Sequence, residues 1–208
     1  MKIDKLAAAP DQAGRYLVRF DDGTTMRLYR QTVEDFGLYA GMELEDLQMA
    51  SLRLAAGQMS AKMRAVRIVS ASNVSKKDLQ RRLIQKGEDP KQAEAAVAWM
   101  ADLDLLDDRK TAEQIVGSCI RKGYGKARAK QALYEKQIPK NLWEEVLAEY
   151  PDQTDTIREY LQSHLSTDAD IKQLKRCIDA LIRRGHSYGV IRRCIDSLSF
   201  DTEELPEV

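Results

Sequence analysis

The chain has 208 residues, its 33 Lys+Arg are balanced by 33 Asp+Glu, and hydrophobic, aromatic and charged residues make up 43%, 6% and 32% of it. So large an apolar fraction excludes intrinsic disorder, and few aromatics beside abundant Ala, Leu, Arg, Lys and Glu predict a mainly α protein. No apolar run approaches the roughly 20 residues that a bilayer span requires, and a net charge of zero argues, taken alone, against a polyanionic partner.

The opening segment MKIDKLAAAP is too polar and too short to read as a secretory signal. The next segment carries the β signal. Tyr16, Val18 and Phe20 alternate with Leu17 and Arg19, Asp22-Gly23 comes next, and Thr25 to Tyr29 supplies a second run. An Asp-Gly between such runs predicts a hairpin with a type I′ turn. An isolated hairpin is marginal in water, so it should pack on the succeeding segment of chain or gain a third strand.

After Thr32 the pattern becomes helical, and Leu44, Leu47, Leu52 and Leu54 lead into a long stretch ending near Ser72. From there the chain reads as helices broken by Gly, Asn, Asp and Pro. At an offset of 50, Val74–Gly87 falls on Tyr124–Gln137, with Leu79 on Ala129, Leu83 on Leu133 and Lys86 on Lys136. At a further offset of 62, Gly185 falls on Gly123, Ile191 on Ala129 and Ile195 on Leu133. The expected organisation is an N-terminal hairpin and helical extension (1–60), then three-helix repeats at 61–108, 109–155 and 156–208. Gly123, Gly185 and Asn73 suit a left-handed helix-closing position, Ser75 and Ser187 suit N-caps, and Asp89-Pro90 and Pro139 suit the opening of each third helix. Residues 151–170 read as a hinge or flexible connection. The third helix of the last repeat reads as compromised, because Phe200 is succeeded by the short acidic tail DTEELPEV.

The neutral total resolves into segments. Residues 62–86 hold eight Lys/Arg and one acid, residues 120–137 six and one, and residues 172–193 seven and one. Acids outnumber bases eight to three over 87–113 and eight to one over 144–170. In a stacked array such a bias becomes a surface stripe, an electrostatic footprint for an extended charged partner. The competing reading is that these cations only solvate outward helix faces; threefold recurrence in register weighs against it. Core spacing turns Leu79, Leu83, Ala129, Leu133, Ile191 and Ile195 inward. It turns Lys76, Lys77, Arg81, Lys126, Arg128, Lys130, Arg192 and Arg193 outward. Arg121, Lys122, Arg183 and Arg184 flank the turns. Tyr124, His186 and Tyr188 stand at the entries to the basic helices, either to stack on a base or to pin the turn.

Catalytic chemistry is not evident. His164 and His186 lack triad partners, Gly123-Tyr-Gly125 lacks the context of a phosphate loop, and Asp104, Asp107 and Asp108 read as helix-start acids rather than a Mg²⁺ site. Cys119, Cys177 and Cys194 fit no zinc spacing and read as reduced thiols of a cytoplasmic protein. No cofactor, metal or membrane partner is expected, and the chain is expected to be a monomer and not an enzyme.

Three stretches, VSKKDLQRRLIQKGEDP, LDLLDDRKTAEQIV and RKGYGKARAKQALYEKQIP, resemble the RecX family, regulators of the RecA recombinase. The resemblance covers about residues 60–200. Arg109-Lys110-Thr111 departs from the family's usual aromatic before Ala112, and Gln137 stands where Gly is common. The resemblance implies tandem three-helix repeats in an elongated, curved array lying along a RecA–single-stranded DNA filament. It also implies inhibition of recombinase, ATPase and co-protease activity in the SOS response. An autonomous helical protein binding single- or double-stranded DNA is the alternative.

Overall fold

The structure, a computed structural model, describes residues 1–165 and 170–198. The acidic tail and the closing helix expected around Phe200 lie outside the described residues. The chain divides into two units, Met1–Asp107 and Asp108–Val208. Both are mainly helical, and the first carries a small antiparallel sheet at its N-terminus.

That sheet has three strands, β1 (Ile3–Leu6), β2 (Arg15–Phe20) and β3 (Thr25–Tyr29), in the order β1-β2-β3. The hairpin is β2–β3, with Val18 opposite Met26 and Arg15 opposite Tyr29. Its turn differs from a two-residue type I′ loop. Of its residues only Gly23 has positive φ, at 82°. The Gly23 N–H donates to the Phe20 carbonyl and the Phe20 N–H to the Thr24 carbonyl. This is the three-residue loop whose last residue is left-handed. Asp22 is thereby spared positive φ, and its carboxylate caps the Thr24 amide and hydroxyl.

The third strand, β1, pairs Ile3 with Phe20 and Leu6 with Val18. The alternation of β2 sends Val18 and Phe20 to one face, where they join Ile3, Leu28, Leu38, Leu44, Met49 and Leu52 in a closed core. Helix α1 (Arg30–Asp35) comes directly after β3, and α2 (Asp46–Ala71) runs 26 residues without a break. Its first half supplies Met49 and Leu52 to the sheet's core. Its second half supplies Ala61, Ala65 and Ile68 to a three-helix core with α3 (Lys76–Gln85) and α4 (Pro90–Asp102). Leu79, Leu83, Ala93, Ala96 and Met100 complete that core. Each large aliphatic side chain so buried contributes about 1.5–3 kcal/mol.

The second unit contains α5 (Asp108–Arg121), α6 (Lys126–Glu135), a 3₁₀ turn (Lys140–Leu142), α7 (Trp143–Val146), α8 (Thr154–His164), α9 (Ile171–Arg183) and α10 (Tyr188–Ser197). One core gathers Ala112, Val116, Cys119, Ala129, Leu133, Ile138 and Leu147 from α5 to α7. A separate one gathers Ile157, Leu161, Leu174, Ile178, Leu181, Ile191 and Ile195 from α8 to α10. The stretch after Pro151 is thus a packed helix over Thr154–His164 and not a flexible connection. Ile157, Leu161 and Leu165 recur every fourth residue and are all buried, which is the spacing of one helix face.

Helix ends obey a common rule. The amides of Glu88, Tyr124 and His186 donate to Leu83, Cys119 and Leu181, with Gly87, Gly123 and Gly185 at φ 89°, 63° and 88° between them. This 6→1 closure needs a left-handed residue, which glycine adopts without a Cβ penalty. Asn73 does not play that part: α2 ends at Ala71 and Ser72 is extended at φ −164°. Ser75 accepts from the Asp78 amide as an N-cap, and Asp89 caps α4 ahead of Pro90. Ser187 holds the N-cap position of α10 without a side-chain hydrogen bond, and Pro139 precedes the 3₁₀ turn and not a long third helix.

Candidate interaction surface

The basic residues singled out from the sequence sit on α3, on the α5–α6 pair and on the α9–α10 pair. In the first unit, Lys76, Lys77 and Arg81 are exposed. Beneath them Asp78 is fully buried. One of its oxygens accepts from Arg81, and the other lies 3.0 Å from Arg82. Other cations of the 62–86 segment are also engaged. Arg64 lies 2.7 Å from the buried Glu88 and donates to the Lys86 carbonyl, Arg67 donates to the Ala13 carbonyl, and Lys62 lies 5.2 Å from the Trp99 ring centroid. Much of that segment's positive charge therefore holds the fold together, and the outward-facing share is carried by Lys76, Lys77, Arg81 and Lys86.

In the second unit, Arg121 and Lys122 at the end of α5, Lys126 and Lys130 on α6, Arg183 and Arg184 at the end of α9 and Arg193 on α10 are exposed. Arg128 and Arg192 are half-buried, so neither projects as fully as helical spacing suggests. The Arg128 guanidinium turns toward Glu135 at 3.3 Å. Arg184 stacks on Tyr160, 4.7 Å from the ring centroid.

The three ring residues at the turns behave differently from the cations. His186 is buried, at 6% exposure, and its Nε2–H donates to the Gly123 carbonyl at 3.1 Å. Burial pushes its pKa below the ordinary value, the nearby Arg184 charge adds to that, and the bond to Gly123 opposes it in part. Such a ring is held neutral inside the unit and is not offered to a partner. Tyr124 is half-buried in the α5–α7 core, and its carbonyl accepts the Tyr150 hydroxyl at 2.6 Å. Burial raises the Tyr150 pKa to about 12, which keeps that donor protonated. Tyr188 is half-buried against the α8–α10 core.

These contacts bring the turn of α5–α6 against the turn of α9–α10. The Gly125 N–H donates to the Arg184 carbonyl at 2.9 Å and the Ala127 N–H to the Gly185 carbonyl at 3.3 Å. Sequence reasoning treats Gly185 only as a helix closer and Gly125 only as part of a rejected phosphate loop, and misses that they meet. It also misses Asp78 as an anchor for two arginines and Tyr160 as the platform for Arg184. The three cysteines are free and buried, with pKa values raised by desolvation. Among the described residues no group of three or more His, Cys, Asp or Glu side chains could hold a metal ion, and no helix is long and apolar enough to cross a membrane.

Fold and surface together define a helical protein whose helix–turn–helix pairs carry exposed cations, with a small sheet ahead of them. Residues 107–147 match the family profile described as RecX, second three-helix domain. The regulatory protein RecX of Chlorobaculum tepidum is 30% identical over 140 residues, covering 65% of this chain and 86% of that protein. Its counterpart in Vibrio campbellii is 27% identical over 155 residues, covering 73% of this chain and 98% of that protein. A solved crystal structure of a regulatory protein RecX shares the fold, with a TM-score of 0.63 at 20% identity over 94% of this chain and 98% of its own. The chain belongs to the RecX family of regulatory proteins.

Proposed function

We propose that the protein is a non-enzymatic regulator that binds the RecA–single-stranded DNA filament and limits its recombinase, ATPase and co-protease activities during the SOS response. The reading takes the protein to be a cytoplasmic monomer. The observation that carries it is the recurrence of exposed cations on equivalent helices: Lys76 and Lys77 on α3, Lys126 and Lys130 on α6, Arg193 on α10. A filament is long, periodic and highly charged, so several modest patches can engage it together and gain by multivalency. Counterion release would supply much of the affinity wherever phosphate is touched.

The test is the RecA ATPase on single-stranded DNA, titrated with the full chain across salt concentrations. Inhibition at substoichiometric protein that weakens steeply with salt is the expected result. Lys126→Glu combined with Lys130→Glu should abolish most of it with helix content unchanged; Arg128 is left in place because it packs within the unit. A protein that binds DNA yet leaves RecA turnover untouched would instead identify an autonomous DNA-binding module.

A further inference from the structure

We propose that Gly125 and Gly185 are positioning residues that lock the α5–α6 and α9–α10 pairs into one body, so that the cations of α6 and α10 engage a single phosphodiester chain together. This rests on the polyanion-binding part of the function proposed above and adds how the second unit achieves it.

The two pairs have separate hydrophobic cores, one around Ala129 and Leu133 and one around Ile191 and Ile195. Turn meets turn through backbone instead. Gly125 and Ala127 donate to the carbonyls of Arg184 and Gly185, and the buried His186 ring returns a bond to the Gly123 carbonyl. Neither glycine can carry a side chain there. A Cβ at Gly125 would stand 2.0 Å from the Gly185 oxygen, and one at Gly185 would stand 2.3 Å from the Arg128 nitrogen. Beside the contact lies an open cleft of about 280 Å³, lined by Gly125, Lys126 and Ala127, by His186, Ser187 and Val190, and by the connecting segment from Tyr150 to Gln153 with Ile157. Apolar packing therefore leaves the space beside the junction unfilled, and besides the connecting segment the close backbone approach is what aligns the two turns.

That approach has a functional consequence through geometry. Helix α6 begins at Lys126 and α10 at Tyr188, each within three residues of a junction glycine, so the first turns of both basic helices are fixed side by side. Two cationic helices held in one alignment bind a continuous polyanion as a bivalent ligand does, with the second contact made intramolecular. Two that swing independently lose that gain.

Gly125 provides the cleaner test. Its φ of −74° suits any residue, whereas Gly185 at 88° would add backbone strain. The measurement is fluorescence anisotropy of labelled oligothymidylate with the full chain, across salt, for wild type, Gly125→Ala and Gly189→Ala. Nothing lies within 4 Å of a Cβ at Gly189, so that variant controls for adding a methyl group near the same helix. Gly125→Ala should keep its helix content and lose at least about tenfold in affinity for a long strand. Its salt slope should fall by about 1.4, the share of two phosphate contacts on a single strand. Its affinity for a labelled dinucleotide, which carries too few phosphates to engage both helices at once, should be unchanged. A wild-type slope in folded Gly125→Ala overturns the proposal.

A double-mutant cycle covers the case in which that variant does not fold. Lys126→Gln with Lys130→Gln forms one arm and Arg192→Gln with Arg193→Gln the other. Losses that couple between the arms support the lock, and strictly additive losses overturn it while leaving polyanion binding standing. Unchanged binding with all four neutralised overturns both.

Discussion

Replacing Asp78 with Asn should destabilise the first unit while making its surface more attractive to a polyanion. The carboxylate is fully buried, its backbone N–H is capped by Ser75, and its two oxygens meet Arg81 and Arg82. The Arg81 hydrogen bond to a charged group is worth about 1.5–3 kcal/mol, and the Arg82 ion pair to the other oxygen adds to it. The guanidinium side chains, however, are 44% and 32% exposed, so both can rehydrate once released, and solvent screens the pairing. About 2 kcal/mol remains after that discount, including the loss of a negative charge from the first turn of α3. The unit can be read separately because the chain has two tryptophans, Trp99 in the first unit and Trp143 in the second. Urea unfolding monitored by Trp99 fluorescence in a Trp143→Phe background reports the affected unit. The same variant removes the one acid of the 62–86 segment and frees Arg81, so affinity for oligothymidylate at low salt should rise. A loss below about 0.5 kcal/mol, the scatter of ordinary surface substitutions, would show that the buried carboxylate is not an anchor and refute the reasoning.

Leu133→Ala, at a fully buried site of α6, should cost about 2–5 kcal/mol; Leu47→Ala, at a site 81% exposed, should stay within about 0.5 kcal/mol, both measured by urea denaturation. Gln137 is left-handed at φ 53°, so Gln137→Gly should relieve about 1–2 kcal/mol of steric cost against about 0.4–1 kcal/mol of added chain entropy. The expected outcome is a small gain in thermal stability, and a loss would show that the side chain contributes more than the backbone conformation costs. His186 is held below its ordinary 6.5, so between the folded value and 6.5 the unfolded chain binds more protons. Stability should therefore be level above about 6.5 and fall as pH drops from there toward the folded value. Thermal unfolding against pH checks this, and His186→Gln should flatten that part of the profile.

What the sequence shows and what it hides divide along the range of the interactions. The hairpin, the helix-closing glycines and the offset-50 repeat were legible because each rests on residues a few positions apart: an alternating run beside Asp22-Gly23, a Gly two residues past a helix, leucines at Leu79 and Leu83 matched by Ala129 and Leu133. Strand β1 was not legible, because four residues, IDKL, carry little pattern of their own and become a strand only by pairing with Val18 and Phe20. Helix α8 could have been found. Its Ile157, Leu161 and Leu165 spacing is as regular as any in the chain, although Pro151 and the acidic bias of 144–170 give the stretch the look of a connector.

Counting charges along the chain finds the basic segments but gives no direction to most of their cations, and a count cannot tell Lys77, which faces water, from Arg82, which faces Asp78. Arg64 and Glu88, 24 positions apart, form a pair that segment counting places on opposite sides of its own boundary. The glycine junction is the extreme case. Gly125 and Gly185 lie 60 positions apart, each has a sufficient local reason to be glycine or to sit in a turn, and no local pattern records that they touch. A close backbone approach leaves in sequence only the absence of a side chain. The charge clusters therefore identify which helices carry the surface, while packing decides which of their cations remain available and in what alignment they are presented.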